Sequence, residues 1–241
     1  MRCLLLGSGE FESWVADAER AALAGASGDG TVAVLATASA PEGEGTFERW
    51  NQLGAAHYRE MGVPVTVLRV RDRDDAFRSE FAQAAGRCSL VFFSGGDPEY
   101  LARTLEATPL WDAVVSSLAR GASYGGCSAG AMVVGSPRQR GSSRGRFRYS
   151  GGLGLFPEDV FGVHWDSPLM RLMRPRMLRR VPPGCRLLGI AERTAILAQP
   201  EGWRVFGAGR VELRSDGVGR WFGPGELIPI QTPPNPPPER T

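Results

Sequence analysis

The sequence predicts an α/β domain in which helices cover both faces of a mostly parallel sheet, a three-layer doubly wound arrangement. Two observations lead to this fold class. In the first half of the chain, short apolar segments such as TVAVLAT alternate with longer amphipathic ones, and strands that are apolar throughout are typical of a sheet buried on both faces. Near the C-terminus, short strands follow one another closely with turn residues between them, which indicates antiparallel hairpins finishing the sheet.

The first half of the chain supplies the predicted parallel strands and their helices. The strands are expected at residues 2–7, 31–37, 64–70, 89–95 and 122–126. The helices are expected at residues 11–23, around Trp50 to Tyr58, and at 74–85, 97–106 and 109–120. A regular alternation of strand and helix is the pattern of consecutive βαβ units, so this region predicts the parallel part of the sheet.

The composition of the chain and its pattern of predicted strands and helices change after residue 135. A polar loop carries five arginines and is followed by a strand ending near His164, an arginine-rich helix at 168–181, and strands at 186–191, 194–198, 203–206 and 210–214. The last segment, PIQTPPNPPPERT, has the composition of a disordered or polyproline extension. We therefore expect one domain over residues 1–228 and a proline-rich tail over 229–241.

Length and charge limit the classes of function. The 241 residues suffice for a sizeable core, and the formal charge of +2 gives no reason to expect nucleic acid or an anionic membrane as a partner. All 28 basic residues are arginine. The absence of lysine excludes Walker-type phosphate loops, Schiff bases and Ser-Lys dyads.

Cysteine usage and hydropathy point to the cytoplasm. The four cysteines form no C-x-x-C pair, the first residues lack the features of a signal peptide, and no stretch approaches the length of a membrane span. We expect a cytoplasmic protein with reduced thiols and with neither cofactor nor metal. The oligomeric state stays open, and a homodimer is compatible with the sequence.

The motif GSGEF after the first strand resembles the start of a dinucleotide-binding loop, but its details differ. The pattern G-x-G-x-x-G requires glycine at position 12, where the chain has Glu12. The second strand also ends in ATASA, without an acidic residue for a ribose. A tight turn between strand and helix is the preferred interpretation.

The stretch GGCSAGAM places two nucleophiles side by side after a predicted strand. Residues 126–130 fit the pattern G-x-S-x-G only when Ser128 is central, because a turn centred on Cys127 loses the second glycine. This pattern is that of a nucleophile elbow, in which small neighbours permit a sharp turn that exposes the nucleophile. We expect Ser128 to be the nucleophile, Cys127 to be a packing residue, and the Ala129 N–H to face a developing oxyanion.

Two histidines could serve as the base. His57 lies in an amphipathic helix beside the sheet, where a surface or half-buried role is expected. His164 follows the apolar segment DVFGV, so it is predicted to reach the same sheet edge as Ser128. For the acid that orients the imidazole, Asp166 and Glu192 are nearly equal candidates by position.

Other residues at the predicted strand ends are candidates for binding. Gly95 or Gly96, after the strand SLVFF, could supply a second oxyanion donor. Asp97, Trp165 and Thr194 lie in the same set of loops and could contact substrate. Arginines of the 138–148 loop and of the following helix, Arg171 among them, could bind an acidic group, although solvated surface is their ordinary role.

Four segments together resemble one family of serine peptidases, which comprises α-aspartyl dipeptidase and cyanophycinase. They are FFSGGDPEYLARTLEATPL, YGGCSAGAMVVG, GGLGLFPEDVFGVHW and GIAERTAIL. The resemblance implies a class I glutamine amidotransferase-like fold, with Ser128 as nucleophile, His164 as base and Gly96 and Ala129 as oxyanion donors. It favours Glu192 as the acid, with Asp166 as the alternative.

The resulting expectation is a serine hydrolase acting on small peptides or aspartyl-type amide bonds through a Ser-His-Glu triad. The segment GVHW around His164 differs from the D-Q-H-F and P-H-Y settings of the two branches of the family. Two alternatives follow from the residues: a non-catalytic ligand-binding module of the same fold, and a Cys127-based amidotransferase-like enzyme using His164 and Asp166.

Overall fold

The computed structural model describes residues 1–136, 138–140 and 148–230, with the backbone alone described at 138–140 and 148–150. Ile230 is 7% exposed, so the packed domain extends two residues past the expected boundary at 228. Residues 231–241, the rest of the expected proline-rich tail, lie outside the described residues.

The elements follow the predicted alternation of strand and helix. The strands are β1 (Arg2–Leu6), β2 (Val32–Leu35), β3 (Val65–Val67), β4 (Leu90–Phe93), β5 (Ser123–Cys127), β6 (Arg138–Arg140), β7 (Arg148–Ser150), β8 (Asp159–Gly162), β9 (Arg186–Ile190), β10 (Thr194–Gln199), β11 (Gly202–Gly207), β12 (Val211–Ser215), β13 (Val218–Phe222) and β14 (Leu227–Ile228). The α-helices are α1 (Ala16–Leu23), α2 (Glu44–Glu60), α3 (Arg73–Ala76), α4 (Ser79–Arg87), α5 (Pro98–Leu105), α6 (Pro109–Ala119), α7 (Ala129–Met132) and α8 (Pro168–Leu178). Two 3₁₀ helices cover Ser13–Val15 and Thr37–Glu42.

The main sheet has eight strands in the order β14-β11-β10-β1-β5-β4-β2-β3. The five strands from β1 to β3 in this order pair in parallel, whereas β10, β11 and β14 continue the sheet in antiparallel fashion. The predicted fold class, a mostly parallel sheet with antiparallel strands near the C-terminus, is confirmed.

The C-terminal strands do not all join the main sheet. A second sheet has the order β13-β12-β9-β8, and β8 pairs with β9 in parallel. The sequence predicts a single sheet, and this prediction is wrong. The spacing of strands along the chain does not reveal with which other strand each hairpin pairs. The arginine-rich loop contributes the pair β6–β7, while residues 141–147 lie outside the described ranges.

Strand β1 shows why the main sheet is covered on both faces. Cys3 and Leu5 belong to one hydrophobic cluster, whereas Leu4 and Leu6 belong to another. Alternate side chains of a strand point to opposite faces, so an uninterrupted apolar strand needs a core on each side. Helices α5 and α6 contribute to the first cluster and α1 to the second, which gives the three layers.

Helix starts follow sequence signals. Asp97, Thr108 and Ser167 each precede a proline and cap α5, α6 and α8 by accepting backbone N–H bonds. The helix predicted at 74–85 is divided into α3 and α4, with extended backbone at Arg78 between them. Across the described ranges, we find no helix whose length and apolar character would let it cross a membrane.

His57 is buried rather than half-exposed. Its Nε2 lies 2.5 Å from Glu19 Oε2, and the Tyr58 hydroxyl donates to Glu19 Oε1 at 2.8 Å. Glu19 itself is fully buried. Because a buried carboxylate needs donors, these three side chains form one polar cluster that joins α1 to α2.

We expect Glu19→Ala to lower the free energy of unfolding by about 3 kcal/mol, because it leaves two buried polar groups without their acceptor. Urea denaturation followed by circular dichroism measures the change. Glu48→Ala, which removes only a partly exposed ion pair with Arg69, should cost less than about 1 kcal/mol. Equal losses in the two variants would contradict the assigned role of the cluster.

Candidate active site

Three loops meet at the carboxyl edge of the parallel strands. Ser128 follows β5, Gly95 and Gly96 follow β4, and residues 7–10 follow β1. Since β5 pairs in parallel with both β1 and β4, these loops emerge side by side. This edge is where ligands bind in open α/β sheets.

The backbone at Ser128 makes a strained turn, with φ 48° and ψ −106°. The flanking glycines permit it. A Cβ added at Gly126 would lie 2.5 Å from the carbonyl carbon of Gly130, and one added at Gly130 would lie 2.3 Å from the Phe93 oxygen. The spacing G-x-S-x-G therefore reflects close backbone packing on both sides of the serine.

His164 lies two residues after β8, a strand of the second sheet. Its Nε2 lies 3.1 Å from Ser128 Oγ, and its backbone N–H donates to the Gly7 carbonyl at 3.3 Å. The next residue, Trp165, is fully buried. Its ring fills the space over Gly162 and Gly189, where an added Cβ would lie 2.7 Å and 2.3 Å from the indole.

The two candidate acids have different partners. Glu192 Oε1 lies 3.3 Å from His164 Nδ1. Asp166 Oδ1 instead accepts the backbone N–H of Glu192 at 2.7 Å, so its contact with the site passes through the turn that carries Glu192. His164 and Arg193, next to Glu192, have positive φ values of 51° and 49°, as Ser128 does.

The loop after β4 offers one free backbone donor. The Gly95 N–H donates to Glu10 Oε1 at 2.9 Å, whereas we find no hydrogen-bond partner for the Gly96 N–H in the parts of the chain that the structure describes. Gly96 has φ 138°, and an added Cβ would lie 2.3 Å from the Ala38 oxygen. Ala129 begins α7, so its N–H has no acceptor within the helix.

Cys127 is unsuited to nucleophilic attack. It is fully buried, and its Sγ donates to Glu10 Oε2 at 2.8 Å. Burial first, and then the charge of Glu10, raise the pKa of the thiol well above its ordinary value. Because the thiolate is the reactive form of cysteine, these surroundings argue against the Cys127-based enzyme.

Three of the residues predicted to contact substrate form hydrogen bonds within the protein through their side chains. Trp165 is buried and donates through Nε1 to Glu212 Oε2 at 2.7 Å, and Thr194 is buried and donates to the Glu192 carbonyl at 3.0 Å. The burial of both side chains argues against the contact with substrate that the sequence suggests. Asp97 is exposed but accepts the N–H groups of Glu99 and Tyr100 as the cap of α5.

Arg171 lines a cavity of about 570 Å³ that reaches Ala191, the neighbour of Glu192 in the chain. The other lining residues are Asp166, Arg174, Ala191, Ala208, Gly209, Arg210 and Trp221. The Arg174 and Arg210 guanidinium groups lie 5.6 Å and 6.0 Å from the centre of the Trp221 ring. Arg210 and Trp221 could not be predicted from the sequence, because Arg210 directly precedes β12, Trp221 lies in β13, and both are far along the chain from Arg171.

The described residues hold no group of three or more His, Cys, Asp or Glu side chains arranged to bind a metal ion. The reactive groups at the sheet edge are instead the Ser128 hydroxyl, the His164 imidazole, the Glu192 carboxylate and free backbone N–H groups. This set is the one used in acyl transfer.

Curated relatives of the chain include two cyanophycinases. That of Synechococcus elongatus is 32% identical over an alignment of 165 residues, which covers 65% of this chain and 51% of the relative. That of Trichormus variabilis is 30% identical over an alignment of 168 residues, which covers 65% of this chain and 55% of the relative. The match thus spans about half the length of these relatives.

Solved structures support the same relationship. A peptidase from an acI-B1 actinobacterium has a TM-score of 0.86 and 29% sequence identity, with 95% of this chain and 96% of that chain covered. A protein from Listeria monocytogenes EGD-e, at 18% identity and a TM-score of 0.65 over 86% of this chain and 98% of that chain, shares the fold. A sequence model described as Peptidase family S51 matches residues 3–206, and the resemblance drawn from the sequence is confirmed: the chain belongs to Peptidase family S51.

Proposed function

We propose that this protein is a serine peptidase that hydrolyses small peptides or aspartyl-type amide bonds, with Ser128 as nucleophile, His164 as base and Glu192 as the acid. The observation that carries the proposal is the 3.1 Å separation of Ser128 Oγ and His164 Nε2 at a strained turn. Hydrogen-bond reach between nucleophile and base is the geometric requirement for this chemistry.

The reaction follows from these contacts. His164 Nε2 accepts the Ser128 proton as Oγ attacks the carbonyl carbon, and the resulting oxyanion accepts hydrogen bonds from the N–H groups of Gly96 and Ala129. Glu192 accepts the Nδ1–H of the imidazolium and stabilises its charge. His164 then gives the proton to the leaving amine as the C–N bond breaks, and water releases the acyl group by the same steps.

The cavity lined by Arg171 supports an acidic substrate. It contains three guanidinium groups, of which Arg174 lies 3.7 Å from Glu212, whereas no ion pair of Arg171 or Arg210 is found among the residues that the structure describes. Guanidinium groups bind carboxylates in bidentate fashion. An aspartyl side chain or a terminal carboxylate is therefore the proposed occupant.

Ser128→Ala is expected to abolish peptide hydrolysis and labelling by a fluorophosphonate probe, because it removes the hydroxyl that lies within hydrogen-bond reach of His164 Nε2. The thermal midpoint should stay within a few degrees of that of the wild type. Gel fluorescence and mass spectrometry of the labelled peptide measure the result. Cys127→Ser serves as the matched control and should label at Ser128. Wild-type protein that is folded and never labels would favour a non-catalytic binding module.

Exchange of each acid for its amide tests the assignment of Glu192. Glu192→Gln is expected to lower kcat by about 10²- to 10⁴-fold, because the amide cannot stabilise the imidazolium. Asp166→Asn keeps an oxygen that can accept the Glu192 N–H, so its kcat should fall about tenfold or less. Steady-state kinetics on both variants decide the question, and the opposite ranking would make Asp166 the acid.

Arg171→Gln is expected to raise KM for acidic dipeptides about tenfold, which corresponds to loss of one charge-assisted hydrogen bond. The value of KM for an uncharged peptide amide should be unchanged. Arg176→Gln is the control, because Arg176 lies on the same helix and does not line the cavity. Equal effects of the two substitutions on the acidic substrate would refute a carboxylate site at Arg171.

A further inference from the structure

The end of β1 and the segment after it contact the three stretches that carry Ser128, His164 and Glu192. The Leu6 carbonyl accepts the Ser128 N–H at 3.1 Å, and the Gly7 carbonyl accepts the His164 N–H at 3.3 Å. Ser8 Oγ accepts the N–H of Arg193, next to Glu192, at 3.2 Å. This is the GSGE motif whose spacing differs from that of a dinucleotide-binding loop.

Glu10 completes these contacts with its side chain. It is 9% exposed, and its two carboxylate oxygens accept the Gly95 N–H and the Cys127 S–H. A carboxylate buried to this extent is costly unless donors surround it, so both bonds fix its position. Glu10 thereby joins the loop after β4 to the residue that precedes Ser128.

Packing around Gly95 shows how directly this contact bears on the site. A Cβ added at Gly95 would lie 3.1 Å from Glu10 Oε1 and 3.4 Å from Ser128 Cβ. The Gly95 backbone is thus enclosed between the buried carboxylate and the proposed nucleophile. Because the Gly95 N–H donates to Glu10, the donor that this loop can offer to an oxyanion is the N–H of Gly96.

Backbone strain supplies an independent observation. In the described part of the chain, six residues other than glycine have positive φ values. Three of them are Ser128, His164 and Arg193, and a fourth is Phe11, with φ 63°, directly after Glu10. Strained backbone is retained where the surrounding structure fixes it, and it concentrates at functional sites.

We propose that Glu10 is a positioning residue: it holds the Gly95–Gly96 loop at the distance from Ser128 at which the Gly96 N–H receives the oxyanion. Glu10 does not touch substrate and acts through the backbone of Gly95. The inference rests on the proposed peptidase function, since the oxyanion arises only in that reaction.

The test compares Glu10→Ala with Glu10→Gln by the second-order rate of fluorophosphonate labelling at Ser128. The probe's phosphoryl oxygen occupies the oxyanion position, so no substrate needs to be known. Glu10→Ala should label about 100-fold more slowly, the effect of losing one oxyanion donor. Glu10→Gln keeps an oxygen for the Gly95 N–H and should label within about fivefold of the wild type, which is the rescue that a positioning role requires.

Glu19→Ala is the control for removal of a buried carboxylate whose hydrogen bonds go to His57 and Tyr58 and not to the proposed active site, and its labelling rate should equal that of the wild type. If Glu10→Ala does not fold, Glu10→Asp takes its place, because it keeps the charge but shortens the reach to Gly95. Labelling of the alanine or aspartate variant at the wild-type rate, or no rescue by glutamine, overturns the proposal.

Amide hydrogen exchange at Gly95 separates this proposal from the peptidase function. The Gly95 N–H should exchange slowly in the wild type and in Glu10→Gln, and at least tenfold faster in Glu10→Ala. Wild-type protein that is never labelled would remove the proposed function, and unchanged exchange at Gly95 would remove the role of Glu10 whatever the labelling result.

Discussion

The turn at Ser128 is the constraint on which the rest of the site depends. A left-handed φ at a residue other than glycine costs on the order of 1–3 kcal/mol and persists only where packing fixes it. Here Gly126 and Gly130 provide that packing, because each approaches neighbouring backbone more closely than a side chain would allow. The strain lifts Ser128 out of the line of β5 and turns its hydroxyl towards His164.

The partners of Ser128 come from separate parts of the fold, and backbone hydrogen bonds bring them into register. His164 follows a strand of the second sheet, while Glu192 lies between that sheet and the main one. Both segments are bonded to the turn after β1, through Gly7 and Ser8. The central strand of the molecule therefore sets the distances among groups that are far apart in sequence.

Local pattern and strand position were enough to predict the parallel sheet, the elbow at Ser128 and the strand end at His164. They could not separate Glu192 from Asp166, since both follow strands and the choice depends on which one holds the turn and which one faces the imidazole. The sequence predicts Trp165 as a candidate substrate contact, and its burial could not be foreseen because it depends on the second sheet, which strand spacing does not predict. The role of Glu10 could not be predicted from its position after the first strand, because its two contacts lie 85 and 117 residues away.

The burial of the Trp165 ring limits which residues relatives can carry at the positions of Gly162 and Gly189. Its indole occupies the space above Gly162 and Gly189, and it carries a hydrogen bond to Glu212. In the segment GVHW, the buried Trp165 ring thus fixes the position of the backbone at its neighbour His164. A relative with a smaller residue in place of Trp165 would have room for side chains at both glycine positions, so these three positions are expected to covary as a set while the histidine stays constant.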